Sequence, residues 1–457
     1  MKKYKDEVLG EEMYETMLSC GMRGIFIPLN TDVSMSMFNL FTRFGSIDAK
    51  FKNHKGKVIE VPDGTAHFLE HCAFYDPDGK NAMHELASFG LQANGWTSFD
   101  HTNYLFHGGI VERNRAAYYT KFKMKNKRED EKKRNLDYLI SFVANPYFTD
   151  EVVKKEKDVI SREIAMGQDS PGSVLWDYMQ DALIQKHPFR RLVAGKVETI
   201  MKITKEGLHS AYNTFYYPSN LCLVMLVPSK DPEEGAKEHF DLAENICNSK
   251  GFVYKKPPEY VYPEEPAEVN KKLVTTEHNV TNPIVKIGFK GKMDLKGTAE
   301  ERMKDSVTCE LLTETLFSQS SKEIYGLIDS EVCKEDIGGG YYSGRGFSVF
   351  SMASSTTNPE AFLDEAINLI KDGVNGKLSR ELFDLKKKGA IKAQASLLEM
   401  EHLEGLGATV IHTLAADLKP VDYMKSLLSV TYEEIIEAGK KYLDTDNYSV
   451  VVMNPRK

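Results

Sequence analysis

The chain has 457 residues, 41% hydrophobic and 28% charged, which suits a soluble globular protein of more than one domain. Lys and Arg number 59 against 67 Asp and Glu, and the net charge of −8 argues against general nucleic-acid binding. The 6 cysteines include no C-x-x-C pair, and no run reaches the length of a signal or bilayer-spanning segment, so a reducing, cytoplasmic, membrane-free location is expected.

Residues 1–20 read as a polar helix. Residues 22–29 are a short apolar stretch, and 33–44 alternate as a strand does. Gly45 to Asp48 turn, and Gly64-Thr65 precede a helix for which Thr65 is the expected N-cap. Residues 81–89 predict a short helix closed by Gly90. The stretch 91–107, rich in Thr, Tyr, Phe and Trp, suits strands, with Asn94-Gly95 either inside one or at a turn between two. A mixed charge run at 121–134 reads as a solvated helix face or loop. Residues 136–143 and 149–166 are helical by their apolar spacing, as are 175–184 and 204–215. Residues 220–227 form an unbroken apolar strand.

The stretch 255–268 carries Pro257, Pro258, Pro263 and Pro266 among acidic residues and reads as a linker. The pattern then restarts: strands at 273–276 and 283–289, a helix at 301–317, a strand at 347–355 and a helix at 359–370. A long helical region at 380–418 is expected to break near Gly405-Leu406-Gly407, before a helix at 430–442 and a strand at 448–453. Each half closes on a helix-then-strand unit. The economical reading is α+β, with domains at 1–254 and 269–457 joined by 255–268.

The chemistry concentrates in His67-Phe68-Leu69-Glu70-His71. Histidines four apart on a helix point to one side, so both imidazoles reach one metal ion. Glu70 borders that face, where it can take a proton from a metal-held water. The order is H-x-x-E-H. The plain alternative is a surface helix that happens to carry these residues. His101 and His107 are further ligand candidates, although such histidines are more often ordinary polar strand residues. Glu156 and Glu163 lie two helical turns apart on one face. They read either as surface carboxylates or as a third ligand (Glu163) with a group orienting a ligand histidine (Glu156).

Together these stretches resemble the insulinase/pitrilysin family of zinc metallopeptidases, and within it half-size bacterial members similar to mitochondrial processing peptidase subunits. The resemblance runs through Phe44–Asp48, Pro62–His71, Asn94–Phe99, Glu156–Ile164, His187-Pro188-Phe189 with Gly195, and Phe215–Leu221. It is weaker in the second half, where Phe317–Ser321 match best. It implies two homologous domains, each a mostly antiparallel sheet packed with helices, in a processing-peptidase-like metallohydrolase fold that encloses a chamber. It implies one zinc per chain on His67, His71 and Glu163, Glu70 as general base and Glu156 behind a ligand. Asn94 would bind substrate at an edge strand, the peptide adding as a further strand.

Two departures stand out. The gap between His71 and Glu163 is long, and the run at 121–134 is where extra residues would loop out. The family's second-domain Arg and Tyr, which hold substrate, have no clean match; Tyr341, Tyr342 and Arg345 are the nearest candidates. The resulting expectation is a zinc endopeptidase acting on peptides or unfolded segments, as a homodimer or with a homologous subunit. The alternative is a zinc-binding subunit that is inactive without its partner. A small-molecule zinc enzyme with the same motif is disfavoured by chain length.

Overall fold

The structure is a computed structural model that describes residues 1–33, 35–75, 81–88, 90–109, 128–144, 147–397 and 403–456. The first part of the charge run, 121–127, lies outside these residues, and its remainder opens a helix.

The strands in chain order are β1 (Lys2–Lys5), β2 (Glu12–Met17), β3 (Arg23–Leu29), β4 (Met35–Thr42), β5 (Lys50–Lys52), β6 (Val58–Glu60), β7 (Gln92–Thr97), β8 (Thr102–Gly109) and β9 (Leu221–Pro228). They continue with β10 (Glu259–Tyr260), β11 (Leu273–His278), β12 (Ile284–Lys290), β13 (Gly338–Gly344), β14 (Phe347–Ser355) and β15 (Ser449–Pro455). The helices begin with α1 (Thr65–Ala73), α2 (Ala82–Ser88), α3 (Arg128–Ala144), α4 (Asp150–Gln168), α5 (Pro171–Leu183), α6 (Val197–Ile200), α7 (Lys205–Phe215) and α8 (Pro232–Ser249). They end with α9 (Ala299–Leu316), α10 (Lys322–Asp329), α11 (Pro359–Asp372), α12 (Arg380–Leu397), α13 (Leu403–Ala415), α14 (Asp422–Ser429) and α15 (Tyr432–Tyr442).

The chain divides into two compact units. The first comprises Met1–Ser161, Val193–Val261 and Ser396–Thr413; the second comprises Arg162–Leu192, Tyr262–Ala395 and Leu414–Lys457. The units meet in sequence between Val261 and Tyr262, within the proline-rich stretch, but each also contains a segment from the other half of the chain.

The first unit holds a seven-stranded sheet ordered β1-β2-β3-β9-β4-β8-β7, and the second a five-stranded sheet ordered β11-β15-β12-β14-β13. The five strands from β3 to β7 repeat the order of the second sheet. In each, the strand that follows the closing helix slots between two earlier ones. β9 runs parallel to β3 and antiparallel to β4, and β15 runs parallel to β11 and antiparallel to β12. The class is therefore α+β with mostly antiparallel sheets. A short third sheet, β10-β5-β6, draws part of the proline-rich stretch into the first unit.

Residues 1–20 are not helical. They form the antiparallel pair β1–β2 at the sheet edge. Their charges are paired across strands, Lys3 with Glu12 at 2.7 Å and Arg23 with Glu15 at 2.7 Å, while Met13 and Tyr14 are buried. The turn alternative for Asn94-Gly95 also fails, because both sit inside β7, opposite Leu105 and Tyr104. Gly405 and Gly407 do not break a helix. They lie within α13, where Gly407 lets the helix approach Met37 of β4; a Cβ there would come within 2.7 Å of that side chain. In the second unit Gly288 plays the same part on β12, under Met179 of α5.

Candidate metal and catalytic site

α1 carries the site, and its start is fixed by Gly64, whose φ of 88° is left-handed and open to glycine at little cost. Gly64, not Thr65, is the cap residue. Thr65 is the first helical residue and its hydroxyl donates to Pro62 O at 2.6 Å. A Cβ on Gly64 would lie 2.6 Å from Ala194 O, and one on Gly195 would lie 2.6 Å from Asp63 O. The helix therefore enters its place only because two glycines let two loops touch.

His67 and His71 face the same side of α1, their ring centroids 4.7 Å apart and inclined at 78°. α4 brings in the carboxylates. It runs unbroken from Asp150 to Gln168, so Glu156 and Glu163 stand on one rod, two turns apart. The donor atoms of His67, His71 and Glu163 all lie within 4.8 Å of one another. Zinc with bonds of about 2.0–2.1 Å spaces tetrahedral ligands by about 3.4 Å, so two imidazoles and a carboxylate so disposed suit it. Among the described residues they are the group of His, Cys, Asp and Glu that fits an ion.

Glu156 is buried behind His71. One carboxylate oxygen accepts from His71 Nδ1 at 2.9 Å, and the other accepts from the Tyr75 hydroxyl at 2.8 Å. Burial pushes this carboxyl up, but the hydrogen bonds from His71 and Tyr75 outweigh it and hold Glu156 below the usual carboxylate range. With Nδ1 donating to Glu156, His71 presents Nε2 to the other side. Lys155 Nζ donates to the Tyr75 hydroxyl at 3.0 Å.

Glu70 is also buried, and its Oε2 accepts from the Thr97 hydroxyl of β7 at 2.9 Å. Between Asn94 and Thr97, Gly95 faces α1; a Cβ there would lie 2.9 Å from the Phe74 ring and 3.1 Å from Glu70 Oε1. β7 is an edge strand of its sheet, so among the described residues one of its backbone edges has no strand neighbour. Asn94 Oδ1 accepts from the N–H of Gly95 at 2.9 Å.

The remaining candidates sit elsewhere. His101 donates from Nδ1 to Asp100 at 2.7 Å and accepts from Trp96 Nε1 at 3.3 Å. His107 pairs with Glu404 at 2.8 Å. Neither joins the ligand group. In the second unit Tyr342 belongs to an aromatic cluster, with ring centroids 5.7 Å from Trp176 and 6.0 Å from Phe347. Tyr341 packs on Phe350 at 4.9 Å. Arg345 follows β13, is 1% exposed, and lies over the Tyr262 ring at 5.9 Å.

Three residues that carry the arrangement were given no part in the site from the sequence: Tyr75, Thr97 and Gly95. Tyr75 follows His71 by four residues, which on a helix predicts the same side. Thr97 follows Gly95 by two on a strand, which places both toward α1. Those signals were present. What they lacked was knowledge of what they faced.

Residues 54–196 match the Insulinase (Peptidase family M16) domain, and residues 202–389 match the Peptidase M16 inactive domain. The chain belongs to peptidase family M16. This M16 chain is 29% identical over 463 residues to the uncharacterized zinc protease YmfH of Bacillus subtilis, covering 100% of both chains. It is 26% identical over 250 residues to the mitochondrial-processing peptidase subunit beta of Rattus norvegicus, covering 53% of this chain and 45% of that one. Among solved structures it is similar to an M16-like peptidase from Alicyclobacillus acidocaldarius, with a TM-score of 0.84 and 26% identity over 99% and 100% of the two chains. A Helicobacter pylori protease shares the fold at a TM-score of 0.79 and 18% identity, over 97% and 100%.

Proposed function

We propose that this M16 chain is a zinc-dependent endopeptidase that hydrolyses peptides or unfolded segments. The observation that carries the reading is the convergence of His67, His71 and Glu163, with Glu156 locked on His71 from behind. His67, His71 and Glu163 would hold one zinc per chain. Zinc so held lowers the pKa of bound water toward ~7 and polarises a carbonyl.

The chain's own groups do the rest. Glu70 takes the proton of the attacking water and passes it to the leaving amine. Thr97 fixes the orientation of that carboxylate. The free edge of β7 offers backbone N–H and C=O groups to an extended peptide, and Asn94 stands on that strand to meet it. The 6 cysteines are free and buried, which suits a reducing cytoplasm. No helix among the described residues is long and apolar enough to cross a membrane.

A second reading keeps the metal site but makes activity depend on a homologous partner. Its support is the placement of Arg345, whose burial against Tyr262 favours a structural role over contact with substrate. The half of the chain that holds it matches the inactive domain. A peptide-library digest by the purified chain alone, with and without a chelator, decides between them. Chelator-sensitive cleavage supports the endopeptidase. Silence that is relieved by adding a homologous subunit supports the second reading, and chelator-resistant cleavage overturns both.

A further inference from the structure

Lys286 lies on β12, half-buried on the sheet face that α5 partly covers. Its ammonium sits over the Trp176 ring at 5.3 Å. Among the described residues it has no carboxylate or hydrogen-bond acceptor, and burial lowers its pKa from 10.5. The nearby lysine of the same strand shows the contrast: Lys290 is held by Glu265 at 2.6 Å.

The register defines what lies beside Lys286. It pairs with Ala353, which pairs with Gly338; Gly288 pairs with Ser351, which pairs with Gly340. Paired residues share a face, so Gly338, Gly340, Ser351 and Ala353 floor the sheet next to the lysine. Ser351 and Ala353 are partly exposed while Met352 and Ser354, which alternate with them, are buried, so this floor is open to solvent. A Cβ added at Gly340 would meet nothing within 4 Å. Trp176 and Tyr342, edge to face, wall one side. The result is a shallow recess with a floor of small residues, an aromatic wall and one cation lacking a counter-ion.

We propose that this recess is a subsite for a carboxylate of a bound peptide, with Lys286 as its ion-pair partner and Trp176 holding the lysine in place. An ammonium partly withdrawn from water gains more from an anion than an exposed one does, because screening is weaker there. That the ligand is a peptide rests on the peptidase reading; the preference for a carboxylate does not.

Trp96 and Trp176 are the only 2 tryptophans, so Trp96→Phe leaves Trp176 as the sole indole reporter. In a full-length Glu70→Gln, Trp96→Phe chain, binding is read by Trp176 fluorescence without turnover. Three short, otherwise identical peptides serve as probes: internal Glu with an amidated end, internal Gln with a free C-terminal carboxylate, and internal Gln with an amidated end. At least one carboxylate peptide should bind about tenfold tighter than the third, and which one does so identifies the source of the carboxylate. Lys286→Met should abolish the difference and Lys286→Arg should keep it. Equal affinities for all three, no saturation by either carboxylate peptide, or a preference that survives Lys286→Met would overturn the proposal. None of those results would touch chelator-sensitive cleavage by the unaltered chain, so the two readings fail separately.

Discussion

At the scale of single residues, the site is built from pairs in which one group acts and a second holds it. Glu156 holds His71, and Tyr75 in turn holds Glu156. Removing such outer partners typically costs 10–100-fold in metal affinity. Tyr75→Phe should therefore weaken zinc binding by about tenfold in a chelator competition while leaving the circular dichroism spectrum unchanged. Unaltered affinity would show that Tyr75 does not steady the carboxylate. Gly95 tests the packing of β7 on α1. Phe74 cannot step aside cheaply, since its ring is buried against Tyr104 and Phe142 at 5.5 Å each. Gly95→Ala should cost on the order of 1–3 kcal/mol in chemical denaturation, as overpacking of a filled site does. A neutral result would mean that β7 moves freely against the helix.

At the scale of elements, the turn after α5 shows how a sequence motif becomes a structural constraint. His187 packs against Tyr262 and Phe347, and its Nδ1 accepts from the N–H of Phe189 at 3.1 Å. Only the neutral ring can accept there. Burial pulls its pKa down from 6.5 to about 4, against an opposing pull from Glu265. The unfolded chain takes up this proton near pH 6.5 and the folded chain only near pH 4. The stability linked to His187 is thus fully present above about pH 6.5 and is lost as the pH falls toward 4, by on the order of 2–3 kcal/mol. Denaturation midpoints measured at pH 7 and pH 5 should differ accordingly, and His187→Asn, which keeps an acceptor that does not titrate, should shrink the difference. The sequence announced this motif but not its chemistry, because Tyr262 and Phe347 are distant in the chain. The same limit explains the opening residues. Lys3, Glu12 and Glu15 look like a polar helix until their cross-strand partners are known. By contrast α1, α4, β4 and β9 were legible, since their periodicity is local, although the cap of α1 is Gly64 and not the expected Thr65.

At the scale of the whole molecule, the repeated strand order was foreshadowed by two helix-then-strand closures, at α7–β9 and α15–β15. The parallel pairing within each repeat was not, because nothing in an apolar run states which neighbour it will take. Nor was the exchange of segments, by which residues 162–192 join the second unit and 396–413 the first. Its local traces are Gly288 under Met179 and Gly407 against Met37, glycines that make sense only once the partner is known. The convergence of His67, His71 and Glu163 was more legible than the fold around it, because two come from one helical turn and the third from a helix of clear period. The claim on which the account depends is that His67, His71 and Glu163 hold zinc while Glu70 acts without binding it. Elemental analysis of the purified chain beside Glu70→Gln and His71→Ala, with peptide cleavage assayed on the same samples, tests this most directly. About one zinc per chain is expected in the unaltered and Glu70→Gln proteins, little in His71→Ala, and cleavage by the unaltered protein alone. Stoichiometric zinc in His71→Ala, or full cleavage by Glu70→Gln, would contradict the claim.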